Sequence, residues 1–407
     1  MAMTFLSRRP DSGLGNIRSS PGDPSRNIDW VLLGVQAILM VIGCFVVFSA
    51  SRTRIPGDPY AFANRQVVFA IVGAVAMVVV MSIDYERLRE RALGLYSATI
   101  ALLLLLILLG LARGQDRISF DFGPFNLQPA ELAKFTTLLL LAAYLAEGRS
   151  DEVTYARFLG GLVLVGIPTV LIVAQPDLGS ASVLVSLAMG TLLVAGARPK
   201  YIAAVSVLSL MTVVAAFVGQ LVNRYQVQRL QVFLDQETTD PTLQDAVYQV
   251  RNAIRAVGTG GVWGKGWLEG PLTNGRDIPV MWADFPFAAV AEQFGMAGCA
   301  VLLALFCVAL VRIWRIASLS KDLLGTYIAA GVFTMLLWQV FQNVGMTLGI
   351  TPVTGLPMPF ISYGGSSLIV YCALFGLVQS VHMRRMRWAL TQLRMGGHRE
   401  RRRRRVT

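Results

Sequence analysis

Histidine is nearly absent from this chain of 407 residues: His382 and His398 are the only two, both in its basic C-terminal region. That shortage argues against a histidine-built metal centre and against Ser-His nucleophilic catalysis, which both need an imidazole at the reacting group. Cysteine is scarce as well. Cys44, Cys299, Cys307 and Cys372 all fall inside apolar runs with no C-x-x-C spacing, so they read as small core residues rather than disulfides or zinc ligands. Charge is thin, at 15% of residues against 55% hydrophobic. What is abundant instead is apolar runs of about 20 residues, each long enough to cross a bilayer as a helix. The expected fold class is an all-α polytopic membrane protein, not a soluble domain with one anchor.

The net charge of +12 is concentrated in the last stretch, "RRMRWALTQLRMGGHRERRRRRVT". After a final transmembrane helix, such a tail is expected to attract anionic lipid headgroups on the cytoplasmic side rather than nucleic acid. The polar N-terminal stretch, residues 1–28, is rich in Pro, Gly and Ser and is expected to be disordered. It has no apolar core beside its basic residues to make a cleavable signal peptide. Three regions follow: an N-terminal tail at 1–28, a transmembrane domain at 29–385 and a basic tail at 386–407.

The apolar runs predict about ten spans, near 30–50, 66–82, 92–112, 130–146, 158–174, 178–196, 201–221, 285–311, 324–349 and 361–382. Only "QPD" separates the fifth from the sixth, so one of that pair is a candidate for a broken or re-entrant helix. Arg87, Arg89, Arg91, Arg198, Lys200, Arg312, Arg315, Lys321 and the arginine tail all fall on one side of this layout. The positive-inside rule makes that side cytoplasmic and places both termini there. The connections at 51–65, 113–129, 175–177, 222–284 and 350–360 then face outward, and they hold nearly every chemically unusual residue.

In the long outer connection, 222–284, "DAVYQVRNAIRAVG" sets Val247, Val250, Ile254 and Val257 at helical spacing, with Arg251 and Arg255 elsewhere on the wheel. Two readings are open: an interfacial helix with arginines toward phosphates, or a helix packed on the bundle. Arginine on an outer surface runs against the topogenic bias and suits a phosphate-bearing ligand, which guanidinium forks match. "GTGGVWGKGW" carries Lys265 among glycines but lacks the P-loop pattern, so it reads as permissive backbone beside a ligand or the membrane. "PAELAKF" puts Glu131 and Lys134 at i and i+3, either pairing so that both tolerate the membrane or orienting a substrate. Asp177 in "QPDLGSA" suits a helix cap. In "PFISYGGSSL", Ser362, Ser366 and Ser367 can satisfy backbone groups freed by a helix break. Asp284 lies between Trp282, Phe285 and Phe287, with Pro286 starting a helix. It is a cap, or else a general base whose pKa burial raises toward a useful range. Glu292, two turns deeper, is structural or part of the same site.

Taken in order, "QPDLGSA", "FLDQETTDPTLQDAVYQV…GTGGVWGKGW" and "NVGMTLGITPVTGLPMPFISYGGSSL" resemble the SEDS family (shape, elongation, division and sporulation), particularly its RodA branch, over roughly residues 29–385. The resemblance implies ten transmembrane helices and a peptidoglycan glycosyltransferase that joins lipid II units at the outer face of the bacterial cytoplasmic membrane. It implies Asp284 as the catalytic aspartate, and as substrate-binding residues Glu131, Lys134, Asp177 and Arg229 in "RLQVFLD". Arg251, Lys265, Ser362 and Ser366 join the expected substrate-binding set. A class B penicillin-binding protein is the implied partner, within an elongation or division complex. Relatives leave room for a divalent ion, Mg2+ or Mn2+, although no ligand cluster marks a metal site here; no organic cofactor is expected. The chain departs from the family pattern where Val280 and Trp282 replace the usual Glu and His before the aspartate. Ile118 likewise replaces a Trp, and Asn252-Ala253 a Gln-Ser. Those departures keep a weakly catalytic scaffold in view beside the polymerase, as ten helices with intramembrane charges keep a precursor flippase. The "GKGW" segment leans toward elongation over division.

Overall fold

Inside hydrocarbon, every backbone N–H and C=O must find its partner within the protein, and helices do this locally. The computed structural model obeys that constraint across residues 27–113, 118–123, 125–148, 153–218, 224–236, 240, 243–275 and 277–403, which are the residues the structure describes. The first part of the chain forms α1 (Trp30–Ser51), α2 (Ala61–Ser82), α3 (Tyr85–Glu90) and α4 (Ala92–Arg113). A small hairpin of β1 (Phe120–Phe122) and β2 (Phe125–Leu127) leads into α5 (Pro129–Ala146), α6 (Tyr155–Val173), α7 (Leu178–Val194) and α8 (Pro199–Val218). The long connection contains α9 (Arg224–Leu234), α10 (Gln244–Gly260), α11 (Pro271–Asn274) and α12 (Met281–Asp284). The chain ends with α13 (Pro286–Ser318), α14 (Leu323–Thr347) and α15 (Gly365–Arg403).

Among the described residues, eight helices are long and apolar enough to cross a membrane: α1, α2, α4, α5, α6, α13, α14 and α15. α7 is apolar but only 17 residues long, and α8 occupies the seventh expected span. Starts are set by chemistry that the sequence displays. Asp29, Thr154, Asp177 and Asp322 each accept a backbone N–H from the first turn of α1, α6, α7 and α14, while Pro129 and Pro286 open α5 and α13. α5, α14 and α15 form the buried centre, and the other spans leave most of their surface outward.

Several expectations need correction. α6 and α7 are separate continuous helices, so neither is broken at "QPD". α2 starts five residues earlier than its apolar run, because Tyr60–Asn64 already closes a helical turn. Of the two readings of the α10 segment, the packed helix is the one seen: Val247, Val250, Ala253 and Ala256 are all buried and the helix packs on α13 and α14. The break occurs elsewhere, within α13, where Gly295 takes φ 64°. The expected N-terminal tail falls, apart from Asn27 and Ile28, outside the described residues, and so do the side chains of the C-terminal tail.

One end of the bundle gathers the ion pairs Arg312–Asp29, Arg384–Asp84, Lys321–Glu86 and Arg89–Glu147. These residues come from the connections with the excess of Arg and Lys. The opposite end carries the hairpin, α9 to α12 and the 350–364 segment.

Candidate functional site

Asp284 ends α12, a single turn that follows Val280 in the left-handed region (φ 52°, ψ 30°). Its main-chain carbonyl accepts a hydrogen bond from Asn343 Nδ2 (2.9 Å), which also donates to Leu356 O (2.9 Å). The α14 amide thereby ties the aspartate turn to the 350–360 segment. Gly355 (φ 71°) lies between two charged groups: a side chain there would meet Arg229 Nη1 at 3.6 Å and Asp284 Oδ1 at 3.9 Å. Burial pushes the half-buried Asp284 carboxyl above the usual carboxylate range, and the Arg229 charge opposes that rise without cancelling it. Two charged groups, one able to take a proton and one able to hold an anion, thus meet at one glycine.

Three amides on one face of α14 hold the 350–360 segment that carries Gly355. Gln339 Nε2 donates to Pro357 O (2.6 Å) and Gln342 Nε2 to Pro352 O (3.1 Å), alongside the Asn343 bonds. Gln339 Oε1 accepts from the Tyr371 hydroxyl (2.5 Å). Sequence reasoning missed these residues. The signal was present in "WQVFQNVG", where amides at i, i+3 and i+4 interrupt an apolar span, a placement that demands partners.

The other expected site residues fall into separate groups. Glu131 and Lys134 pair at 2.6 Å with 1% and 0% exposure, and Glu131 Oε2 has no hydrogen-bond partner among the described residues. Asp177 caps α7 through Ser180 N (2.9 Å) and accepts from Gln128 Nε2 (3.0 Å). Gln128 N donates to Ser366 Oγ (3.2 Å), and Ser366 donates to Asn126 O (2.5 Å), so Asp177 and Ser366 both anchor the hairpin side. Ser362 Oγ accepts from Met358 N (2.7 Å), closing the turn before α15. Arg251 Nε donates to Gln236 O (2.9 Å), and Gln236 Nε2 to Gly349 O (3.0 Å), so Gln236, just past α9, links Arg251 of α10 to the end of α14.

Lys265 stands 3.4 Å from Glu292 Oε1 and is 30% exposed. Glu292 also accepts from Leu272 N (3.0 Å), Thr273 N (2.8 Å) and Thr273 Oγ1 (2.6 Å), which makes it an anchor for the loop before α12. The "GTGGVWGKGW" backbone runs beside the α13 break, with Lys265 N donating to Glu292 O and Met296 N to Gly261 O (3.0 and 2.9 Å). Its glycines therefore serve a close approach of backbone to backbone. No three His, Cys, Asp or Glu side chains converge among the described residues, and Asp284 has a guanidinium beside it. These donors do not fit a Mg2+ or Mn2+ site built by the chain alone, and no step below passes through a metal.

Fold and site together define a polytopic membrane protein with a carboxylate–guanidinium pair at one end of its bundle. The chain belongs to the FtsW, RodA and SpoVE family, described as cell cycle proteins, which it matches over residues 29–387. It is 36% identical over 366 residues to "Probable peptidoglycan glycosyltransferase FtsW" of Geobacter metallireducens, covering 88% of this chain and 95% of that protein. It is also 36% identical over 366 residues to "Peptidoglycan glycosyltransferase MrdB" of Escherichia coli K12, covering 88% and 94%. Among solved structures it resembles a chain of a peptidoglycan synthase complex that coordinates polymerization and crosslinking. The TM-score is 0.71 at 30% identity, covering 88% of this chain and 98% of that one.

Proposed function

We propose that this SEDS-type peptidoglycan glycosyltransferase polymerises lipid II at the outer face of the cytoplasmic membrane, with both termini in the cytoplasm. Asp284 takes the proton from a saccharide hydroxyl as its oxygen bonds to the anomeric carbon of a second lipid-linked sugar. The bond from that carbon to the diphosphate breaks, and undecaprenyl diphosphate departs against the Arg229 guanidinium. The observation that carries this reading is the burial-raised carboxyl of Asp284 with Arg229 across Gly355. A base must have appreciable proton affinity near working pH, and a departing diphosphate, which gains a negative charge as the bond breaks, needs a cation already in position. The 30% exposed Lys265 ammonium supplies further positive charge for the bound lipid.

A class B penicillin-binding protein is the proposed partner, supported by the likeness to a chain of a synthase complex. Relatives named FtsW and MrdB are equally similar at 36%. Elongation, the role favoured by the sequence, is read from a fluorescent fusion: sidewall signal supports it, and septal signal assigns division.

The central experiment gives labelled lipid II to the purified chain with its penicillin-binding partner. Wild type makes glycan strands, and Asp284→Asn loses activity by about a hundredfold or more while inserting normally. Equal polymer from both removes Asp284 from the chemistry. Movement of lipid II across vesicles without polymer assigns a flippase instead.

A further inference from the structure

The last turn of α1 is stitched to the segment that carries Asp284. Ser49 Oγ donates to Gln293 Oε1 (2.6 Å), Arg52 Nη2 to Leu268 O (2.8 Å) and Thr53 Oγ1 to Asn274 O (3.1 Å). Arg54 reaches farthest along the segment. Its Nη2 donates to Ile278 O (2.7 Å), and its Cζ stands 5.0 Å from the centre of the Trp282 ring. Phe62 lies 5.0 Å from the same ring. Between those two anchor points sits Val280, a β-branched residue in the left-handed region, which such side chains rarely enter and which only surrounding structure can enforce.

We propose that Arg54 is a positioning residue for the transfer reaction: it ties Ile278 to Trp282 across the left-handed Val280 and so fixes the turn that presents Asp284.

Other bonds secure this segment on one side of Val280 only. Asn252 Nδ2 donates to Asp277 O upstream, while Tyr363 N donates to Trp282 O and Asn343 Nδ2 to Asp284 O downstream. Arg54 alone among these groups is seen to grip both sides. A guanidinium suits the task because one planar group donates to a carbonyl and stacks on an aromatic face together. Val280 is the strained residue and Trp282 the ring that Arg54 covers. Arg229 is the cation whose charge opposes the rise of the Asp284 carboxyl, and the role assigned to Arg54 is geometric.

The inference rests on Asp284 being the base, and its test separates the two ideas. Arg54→Gln, Arg54→Lys, Trp282→Leu and Asp284→Asn are compared in the full chain with its partner, using lipid II across a pH series. The thermal midpoint of each variant confirms folding. Arg54→Gln is expected to lower kcat about tenfold with KM within about twofold, because a small misplacement of a reacting group is costly. The acid limb of its pH profile moves to lower pH, since a loosened turn admits water to Asp284. Trp282→Leu moves both readouts the same way, and Arg54→Lys, which keeps charge but not the planar stack, recovers less than half the rate. A raised KM at unchanged kcat, rescued by Arg54→Lys, overturns the proposal by making Arg54 a substrate contact. An acid limb that moves upward also overturns it, because the charge would then act directly. Unchanged rates in Arg54→Gln with an inactive Asp284→Asn defeat the positioning role and leave the base intact. An active Asp284→Asn defeats both.

Discussion

At the scale of single residues, membrane charges are rare enough that each demands a partner or a task. Glu131 and Lys134 answer each other at 2.6 Å in full burial. Removing one partner strands a buried charge, so Lys134→Met is expected to destabilise the protein by about 3 to 5 kcal/mol. The double replacement Glu131→Gln with Lys134→Met is expected to regain most of that loss, as read by thermal unfolding in detergent. Glycan synthesis by the stable double variant then shows whether the pair also serves the substrate. Such charges were legible in the sequence because their isolation among apolar neighbours is itself the signal. The α14 amides were not, since a neutral amide disturbs an apolar pattern less and its carbonyl partners lie in another segment. Arg251, Ser362 and Ser366 each make a hydrogen bond to a backbone atom, the role that the helix break suggested for the two serines and that residue type did not suggest for the arginine.

At the scale of elements, the junction of α10, the glycine loop and α13 depends on backbones lying side by side. A Cβ on Gly260 would collide with the Ala291 carbonyl, and one on Gly264, at φ 79°, with that of Gln293. Gly260→Ala is expected to undock the loop at a cost of about 2 kcal/mol. Hydrogen exchange checks this: the amides of Lys265, Gly266, Met296 and Ala297 should lose protection by about tenfold or more, with little change in α5 or α15. Helix α10 was readable from its apolar period, although the period alone could not say whether lipid or protein covers it. The break at Gly295 and the three-residue strands of the hairpin were not readable. Each is imposed by a partner segment distant in sequence, and neither leaves a local period.

At the scale of the whole molecule, the start of α1 closes on the last span, α15. Asp29 accepts from Arg312 (2.6 Å) and from Leu32 N, while its backbone exchanges hydrogen bonds with the Gln379 amide, 350 residues away. Burial pushes the Asp29 carboxyl up, but the Arg312 bonds and the Leu32 N–H prevail and hold it below the usual range. A carboxyl with a depressed folded-state pKa stabilises the fold fully above its unfolded value, about 4. That contribution declines as pH falls from there through the folded-state value. Wild type is therefore expected to lose thermal stability in that acid window, whereas Asp29→Asn starts lower at pH 7 and declines less, as read by melting temperature against pH. The order of the apolar helices was legible because hydrocarbon thickness sets their length, although of about ten expected spans eight are long and apolar enough among the described residues. Their mutual arrangement was not, because the contacts that decide it join residues hundreds of positions apart. That long-range closure also bears on biogenesis: α1 leaves the ribosome first, yet its cap is complete only after Gln379 has been synthesised. A nascent chain stalled in the final span would hold a half-assembled bundle open to quality-control proteases, so this protein's assembly is committed at its last helix.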